Sequence, residues 1–255
     1  MRLLALWAAL LLAACSQRPA KTPAWDPQAL PAPDSHTVSA DSLVTRPGAT
    51  LTSGLRDHLF IPVYQVIPDR GQQDGYISRN GYRLSYDTYD LQEDPNLLNA
   101  WHGHIIPGIE ILHGHKLVNI GYFNQKTQVR TNLFAHPVQV YHFYYPTLMQ
   151  DTLAGVPVRR DYCLISVYDT DTNRDSVIDA RDLRRLYHLS LPTLTQTLLV
   201  PADYAVLSSQ YYPQTDQLLV YARHDANGNG RREPDEPVHV FALDMKRPQA
   251  GVRVY

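Results

Sequence analysis

An all-β domain of propeller-like repeats is the fold class this sequence predicts, and three observations carry it. Most of residues 55–255 falls into short runs rich in Val, Ile, Leu, Tyr and Phe, separated by Gly, Pro, Asn and Asp, which is strand-and-turn patterning. All seventeen tyrosines lie between Tyr64 and Tyr255, so the first quarter of the chain is a different material from the rest. The third observation is internal repetition: Tyr144-Tyr145-Pro146 recurs as Tyr211-Tyr212-Pro213. Each copy is followed by a strand, an Asp/Asn-rich loop and a further strand-like run.

Taken in order, the expected strands are Leu59–Val66, Ile105–Leu112, Leu117–Phe123, Val138–Tyr145, Cys163–Tyr168, Tyr204–Tyr211, Leu218–Arg223 and Val238–Leu243. The runs Leu186–Leu191 and Val238–Leu243 close the two clearer repeats. A worn copy is expected upstream, from Pro62–Val66 through Asp74-Gly75-Tyr76 to Tyr82–Tyr86, with a loop-free unit at Ile105–Phe134. About four units over the domain match the spacing of roughly 40–50 residues found in propeller blades. An irregular β-sandwich is the alternative. One segment, Ala180–Tyr187, carries a helical period, with Leu183, Leu186 and Tyr187 at i, i+3 and i+4.

Composition narrows the class of function. The chain of 255 residues has a formal charge of −2, from 23 basic and 25 acidic residues, and no basic face that would argue for nucleic acid. Two cysteines exclude a disulfide-stapled scaffold. No G-x-S-x-G, H-E-x-x-H, P-loop or dinucleotide fingerprint is present, so no enzymatic motif can be named.

The amino terminus reads as a targeting segment. Met1-Arg2 precedes an apolar run from Leu3 to Ala14, shorter than the ~20 residues a membrane-spanning helix needs. Leu12-Ala13-Ala14-Cys15 resembles the lipobox of bacterial lipoproteins. That resemblance implies cleavage after residue 14, acylation of Cys15 and a membrane anchor. Ser16, where an aspartate would resemble an inner-membrane retention signal, implies the outer membrane, with the domain facing the periplasm. Residues 15–54 hold Pro19, Pro23, Pro27, Pro31, Pro33 and Pro47 and are expected to be a disordered tether, with the β domain over 55–255.

The two acidic loops carry the chemistry. Counting from Asp171, oxygen-bearing side chains fall at positions 1 (Asp171), 3 (Asn173), 5 (Asp175), 9 (Asp179) and 12 (Asp182), with aliphatic Ile178 at position 8. This is the ligand spacing of an EF-hand-type calcium loop, with the backbone carbonyl of Val177 at position 7. Ca²⁺ takes six to eight oxygens at about 2.4 Å, and a tight loop points alternate side chains inward to supply them. Ser176 stands where glycine is usual, and Asp182 is shorter than the usual glutamate, as in the dockerin version of the loop. The second loop offers Asp225, Asn227, Asn229, the Arg231 carbonyl, Glu233 and Glu236, with Gly230 at the sharp turn. Arg232 replaces the aliphatic residue at its position 8. The upstream copy has Arg70 and Gln72 at the first and third positions and is expected to bind nothing.

With Leu12–Cys15, Asp171–Asp182 and Asp225–Glu236 in view, the chain resembles uncharacterised bacterial envelope lipoproteins that carry calcium-type loops within TolB-like propeller repeats. The resemblance implies a Ca²⁺-stabilised module for binding or assembly, with an envelope protein or glycan as partner, and supplies no catalytic residues. An envelope hydrolase or glycan-processing enzyme on the same scaffold is the alternative. A further alternative uses the pairs His102/His104 and His113/His115 for metal handling, since two imidazoles on one strand face offer partial coordination for Zn²⁺ or Cu²⁺. Cys163, within an apolar strand, is expected to be a buried free thiol.

Overall fold

The computed structural model describes residues 43–66, 76–77, 83–84, 106–114 and 116–255. Cys15, most of the tether, His102, His104, His115 and the upstream loop copy around Arg70 lie outside the described residues. The described chain is all-β and contains no helix.

Three antiparallel sheets form the body. The first has the order β1 (Thr45–Pro47), β2 (His58–Gln65), β6 (Leu117–Asn124), β7 (Arg130–Asn132). The second runs β14 (Thr195–Leu198), β13 (Arg185–Ser190), β11 (Tyr162–Tyr168), β8 (Gln139–Pro146), β5 (Ile109–His113). The third is a simple meander of β15 (Tyr204–Tyr212), β16 (Gln217–His224), β17 (Val238–Asp244) and β18 (Val252–Arg253). A hairpin of β9 (Asp151–Leu153) and β10 (Val156–Val158) projects from the second sheet. A small ribbon joins β3 (Tyr76–Ile77) to β4 (Arg83–Leu84), with β12 (Val177–Ile178) parallel to β4.

The side-chain period of two explains how the sheets stack. On β11, Cys163, Ile165 and Val167 pack toward the first sheet with Phe60, Ile120, Phe143 and Leu189. Tyr162 and Leu164, on its other face, pack with Val206, Leu218, Val220, Phe241 and Leu243 of the third sheet. Every residue of β11 is therefore buried, and a strand covered on both faces reads as a continuous apolar run rather than an alternating one. Cys163 is a free thiol with no exposure, and burial pushes its pKa well up. Between the second and third sheets, Arg160 and Asp216 form a bidentate ion pair at 2.6 and 3.0 Å. Tyr211 donates to the same carboxylate at 2.9 Å. Burial alone would raise the pKa of Asp216, but the Arg160 and Tyr211 hydrogen bonds outweigh it and hold the carboxyl below its ordinary value.

Three details depart from the sequence expectation. The segment Ala180–Tyr187 is not helical: its last residues enter β13, where Leu186 packs toward the third sheet and Leu189 toward the first. The helical spacing of Leu183, Leu186 and Tyr187 is a by-product of a loop exit running into a strand. The unit Ile105–Phe134 is divided, since β5 pairs with β8 while β6 pairs with β2 across an insertion of some fifty residues. The ordered part also extends into the expected tether. β1 pairs with β2, Leu51 bridges Phe60, and Leu43 packs beside Val63 and Ile178. Pro47 is tolerated there because β1 is an edge strand.

Candidate functional site: two acidic loops at one end of the stacked sheets

Both acidic loops join neighbouring antiparallel strands, β11 to β13 in the second sheet and β16 to β17 in the third. They emerge at the same end of the molecule, and the β9–β10 hairpin and the Arg160–Asp216 pair mark the other. The four-strand order β8-β11-β13-β14 repeats as β15-β16-β17-β18, and the first pair in each set carries a register shift, at Ser166/Val167 and at Val206/Ser208. The tyrosine-proline motif ends β8 in one unit; in the other its two tyrosines end β15 and Pro213 follows.

Within the loops the turn positions match, although positions 7 and 8 form β12 in the first loop alone. Positions 4 and 6 take positive φ in both: Arg174 (61°) and Ser176 (67°) in the first, Gly228 (70°) and Gly230 (71°) in the second. The first-position aspartate accepts N–H groups from positions 5 and 6. Asp171 does so from Asp175 at 3.1 Å and Ser176 at 2.8 Å. Asp225 does so from Asn229 at 3.0 Å and Gly230 at 2.9 Å. The third-position amide oxygen accepts from position 5 at 2.9 Å in both, through Asn173 and Asn227. The fifth-position oxygen accepts from position 7, Asp175 from Val177 and Asn229 from Arg231. At the twelfth position, Asp182 accepts from Thr172 and Asp179, and Glu236 from Ala226 and Glu233. These side chains fold inward because each satisfies backbone donors that a tight turn leaves without partners.

The loops differ in what fills them. In the first, Ile178 is fully buried with Val118 and Tyr168, so position 8 pins the loop to the sheets. Asp182 is fully buried, and burial raises its pKa to about 6. Arg181 reaches across the carboxylates, 2.7 Å from Asp179 and 3.1 Å from Asp175, while its side chain stays largely exposed. In the second, Asn227 Nδ2 donates to Glu233 at 2.8 Å.

The donor set suits a hard cation that takes oxygen ligands: carboxylates, amide oxygens and a position-7 carbonyl are all present in each loop. Among the described residues, no three His, Cys, Asp or Glu side chains gather as a metal-binding group, so a site here depends on amide and carbonyl oxygens too. His113 stands at the end of β5 with its ring 4.8 Å from that of His142 on β8. Burial lowers the pKa of His142 to about 3, with Arg184 and His113 adding to the effect. His113 thus meets a histidine from the neighbouring strand. Thr172 and Arg181 lie within the first loop but at positions 2 and 11, which are not ligand positions, so the spacing did not single them out; His142 meets His113 only through the pairing of β5 with β8.

At the far end, a groove of about 640 Å³ lies between the β9–β10 hairpin and the β15–β16 turn, with Val156, Pro157, Pro213 and Lys246 on its walls. Val156 on its wall is exposed, as are Leu148, Met149 and Tyr212 in the segments that lead into the β9–β10 hairpin and the β15–β16 turn. No protein-family model matches the chain, and no curated protein matches it significantly.

Proposed function

We propose that the chain is a lipid-anchored envelope protein whose β-repeat domain is stabilised by Ca²⁺ and serves as a non-enzymatic binding or assembly module. The observation that carries the calcium reading is the coincidence of the two loops in backbone φ and in the hydrogen bonds to positions 1, 3, 5 and 12. An ordinary solvated turn has no reason to repeat that pattern at the same junction of two sheets. In the first loop Asp171, Asn173, Asp175, the Val177 carbonyl, Asp179 and Asp182 would hold the ion. In the second Asp225, Asn227, Asn229, the Arg231 carbonyl, Glu233 and Glu236 would do so. Bound Ca²⁺ supplies charge neutralisation: it gathers carboxylates that otherwise repel and stiffens the ends of two strand pairs. Arg181 already performs part of that task in the first loop, holding Asp175 and Asp179 together.

The lipid anchor rests on Leu12–Cys15, and Ser16 supports an outer-membrane location through its likeness to lipoproteins that lack a retention aspartate; we place the domain on the periplasmic side. Propeller-like stacking is supported by three consecutive sheets packed face to face through two apolar layers. The end carrying the groove and exposed Leu148, Met149 and Tyr212 is free of both loops and is the surface we assign to an envelope protein or glycan partner. The test is thermal unfolding of the full chain. Millimolar Ca²⁺, the range of extracellular calcium modules at about 10⁻⁴–10⁻³ M, is expected to raise Tm where Mg²⁺ does not. Asp171→Ala with Asp225→Ala is expected to erase the rise, and a wild-type melt unmoved by Ca²⁺ would refute the reading. For the anchor, Cys15→Ser is expected to abolish incorporation of labelled palmitate.

A further inference from the structure

The two loops belong to different sheets, yet they touch through a residue that is not an expected ligand of either. Thr172, at position 2 of the first loop, has its Oγ1 2.6 Å from the carbonyl oxygen of Gly230 in the second. The same Oγ1 lies 3.1 Å from Asp182 Oδ1, the last expected ligand of its own loop, and accepts the Leu183 N–H at 2.9 Å. A hydroxyl has one proton, so Thr172 donates to Gly230 or to Asp182 at any instant, never fully to both. Two further contacts hold the loops in register. The Arg232 N–H donates to the Arg181 carbonyl at 3.4 Å, and a Cβ on Gly230 would stand 2.0 Å from the Thr172 carbonyl oxygen. Glycine at position 230 therefore serves the close approach of the loops as well as its own positive φ.

We infer that Thr172 couples the two loops, so that occupancy of either one raises the affinity of the other for Ca²⁺. The inference rests on the calcium reading above and assigns a regulation to the same sites. When Asp182 turns its oxygens to a cation, it ceases to compete for the Thr172 proton, which passes wholly to the Gly230 carbonyl. That bond fixes the peptide between Gly230 and Arg231, whose N–H already donates to Asn229 Oδ1 at 2.8 Å. The position-5 oxygen and the position-7 carbonyl of the second loop are thereby held ready. The reverse coupling has the same magnitude, because linkage between binding free energies is reciprocal.

Calcium titration calorimetry on the full chain separates this coupling from the calcium reading. Disabling the second loop with Asp225→Ala is expected to weaken the first by about five-fold or more, the lower end of ordinary allosteric coupling, and by less than about two-fold when Thr172→Val is also present. Thr172→Ser, which keeps the hydroxyl, is expected to restore the dependence. The same loss with Val as with Thr at position 172, or no loss in either background, would overturn the coupling while leaving the calcium reading intact. A wild-type chain that takes up no Ca²⁺ would overturn both. If Thr172→Val does not fold, reciprocity decides: Asp171→Ala must weaken the second loop by the factor with which Asp225→Ala weakens the first, and unequal factors or none refute the coupling.

Discussion

The first and second acidic loops share a turn geometry and its inward hydrogen bonds and differ in how they are anchored. The last-position acids Asp182 and Glu236 are buried in both, but only the first loop is anchored by a buried position 8, Ile178, with Arg181 spanning its carboxylates. Its left-handed positions are taken by Arg174 and Ser176, residues that adopt positive φ only at a cost. The second is relaxed. Gly228 and Gly230 take the same conformation without strain, and position 8 is Arg232 rather than a buried aliphatic. One loop geometry can thus be stabilised from below by packing or from within by suitable backbone residues. The chain uses the first means where the loop closes a strand buried on both faces, and the second at the last sheet.

Position 8 is where the two loops should respond most differently to substitution. Ile178→Ala removes a fully buried side chain and is expected to cost about 2–5 kcal/mol in urea unfolding. Arg232→Ala, at the matching position of the second loop, is expected to cost less than about 1 kcal/mol, as for most substitutions outside the core. Equal losses would mean that the two loops are held in the same way.

The sharp turn gives the next largest effect, and there the two loops respond with opposite signs. Gly230→Ala is expected to destabilise by about 1–3 kcal/mol from its backbone conformation alone, with the collision against Thr172 added. Ser176→Gly relieves a positive φ and is expected to stabilise by up to about 1 kcal/mol, read as a higher urea midpoint. Destabilisation by both changes would show that Ser176 contributes more than its backbone.

Arg181 provides the smallest contrast. Its guanidinium is exposed, so its ion pairs are worth at most about 1 kcal/mol. Arg181→Ala is therefore expected to tighten Ca²⁺ binding at the first loop by about two- to five-fold and to leave the second loop nearly unchanged, measured by titration calorimetry. Weaker binding in the variant would mean that Arg181 organises the carboxylates rather than competing for them.

How much of this was legible depended on whether the cause was local. The central strands of all three sheets could be read from their apolar runs, because Phe60, Ile165 and Val220 bury on a period of two wherever the chain places them. Both loops could be located because their Asp/Asn-rich spacing is written in consecutive residues. Pairings across long insertions could not. Nothing in Leu59–Val66 specifies Leu117–Phe123 as a partner, and β1 was concealed by a Pro-rich composition that an edge strand tolerates. The helical period at Ala180–Tyr187 misled because three apolar residues at that spacing fit a loop exit followed by a strand as well as they fit a helix. The Arg160–Asp216 pair, 56 residues apart, and the Thr172–Gly230 contact, 58 residues apart, carry no sequence signal at all.

Whether these two loops are calcium sites is decided by the number of ions the chain binds. Equilibrium dialysis of the full chain against millimolar Ca²⁺, followed by elemental analysis, is expected to find two ions per chain. Asp171→Ala or Asp225→Ala alone is expected to lower that number, and the double variant is expected to retain none. A wild-type chain that retains no Ca²⁺ above the buffer, or a double variant that retains as much as wild type, would contradict the account.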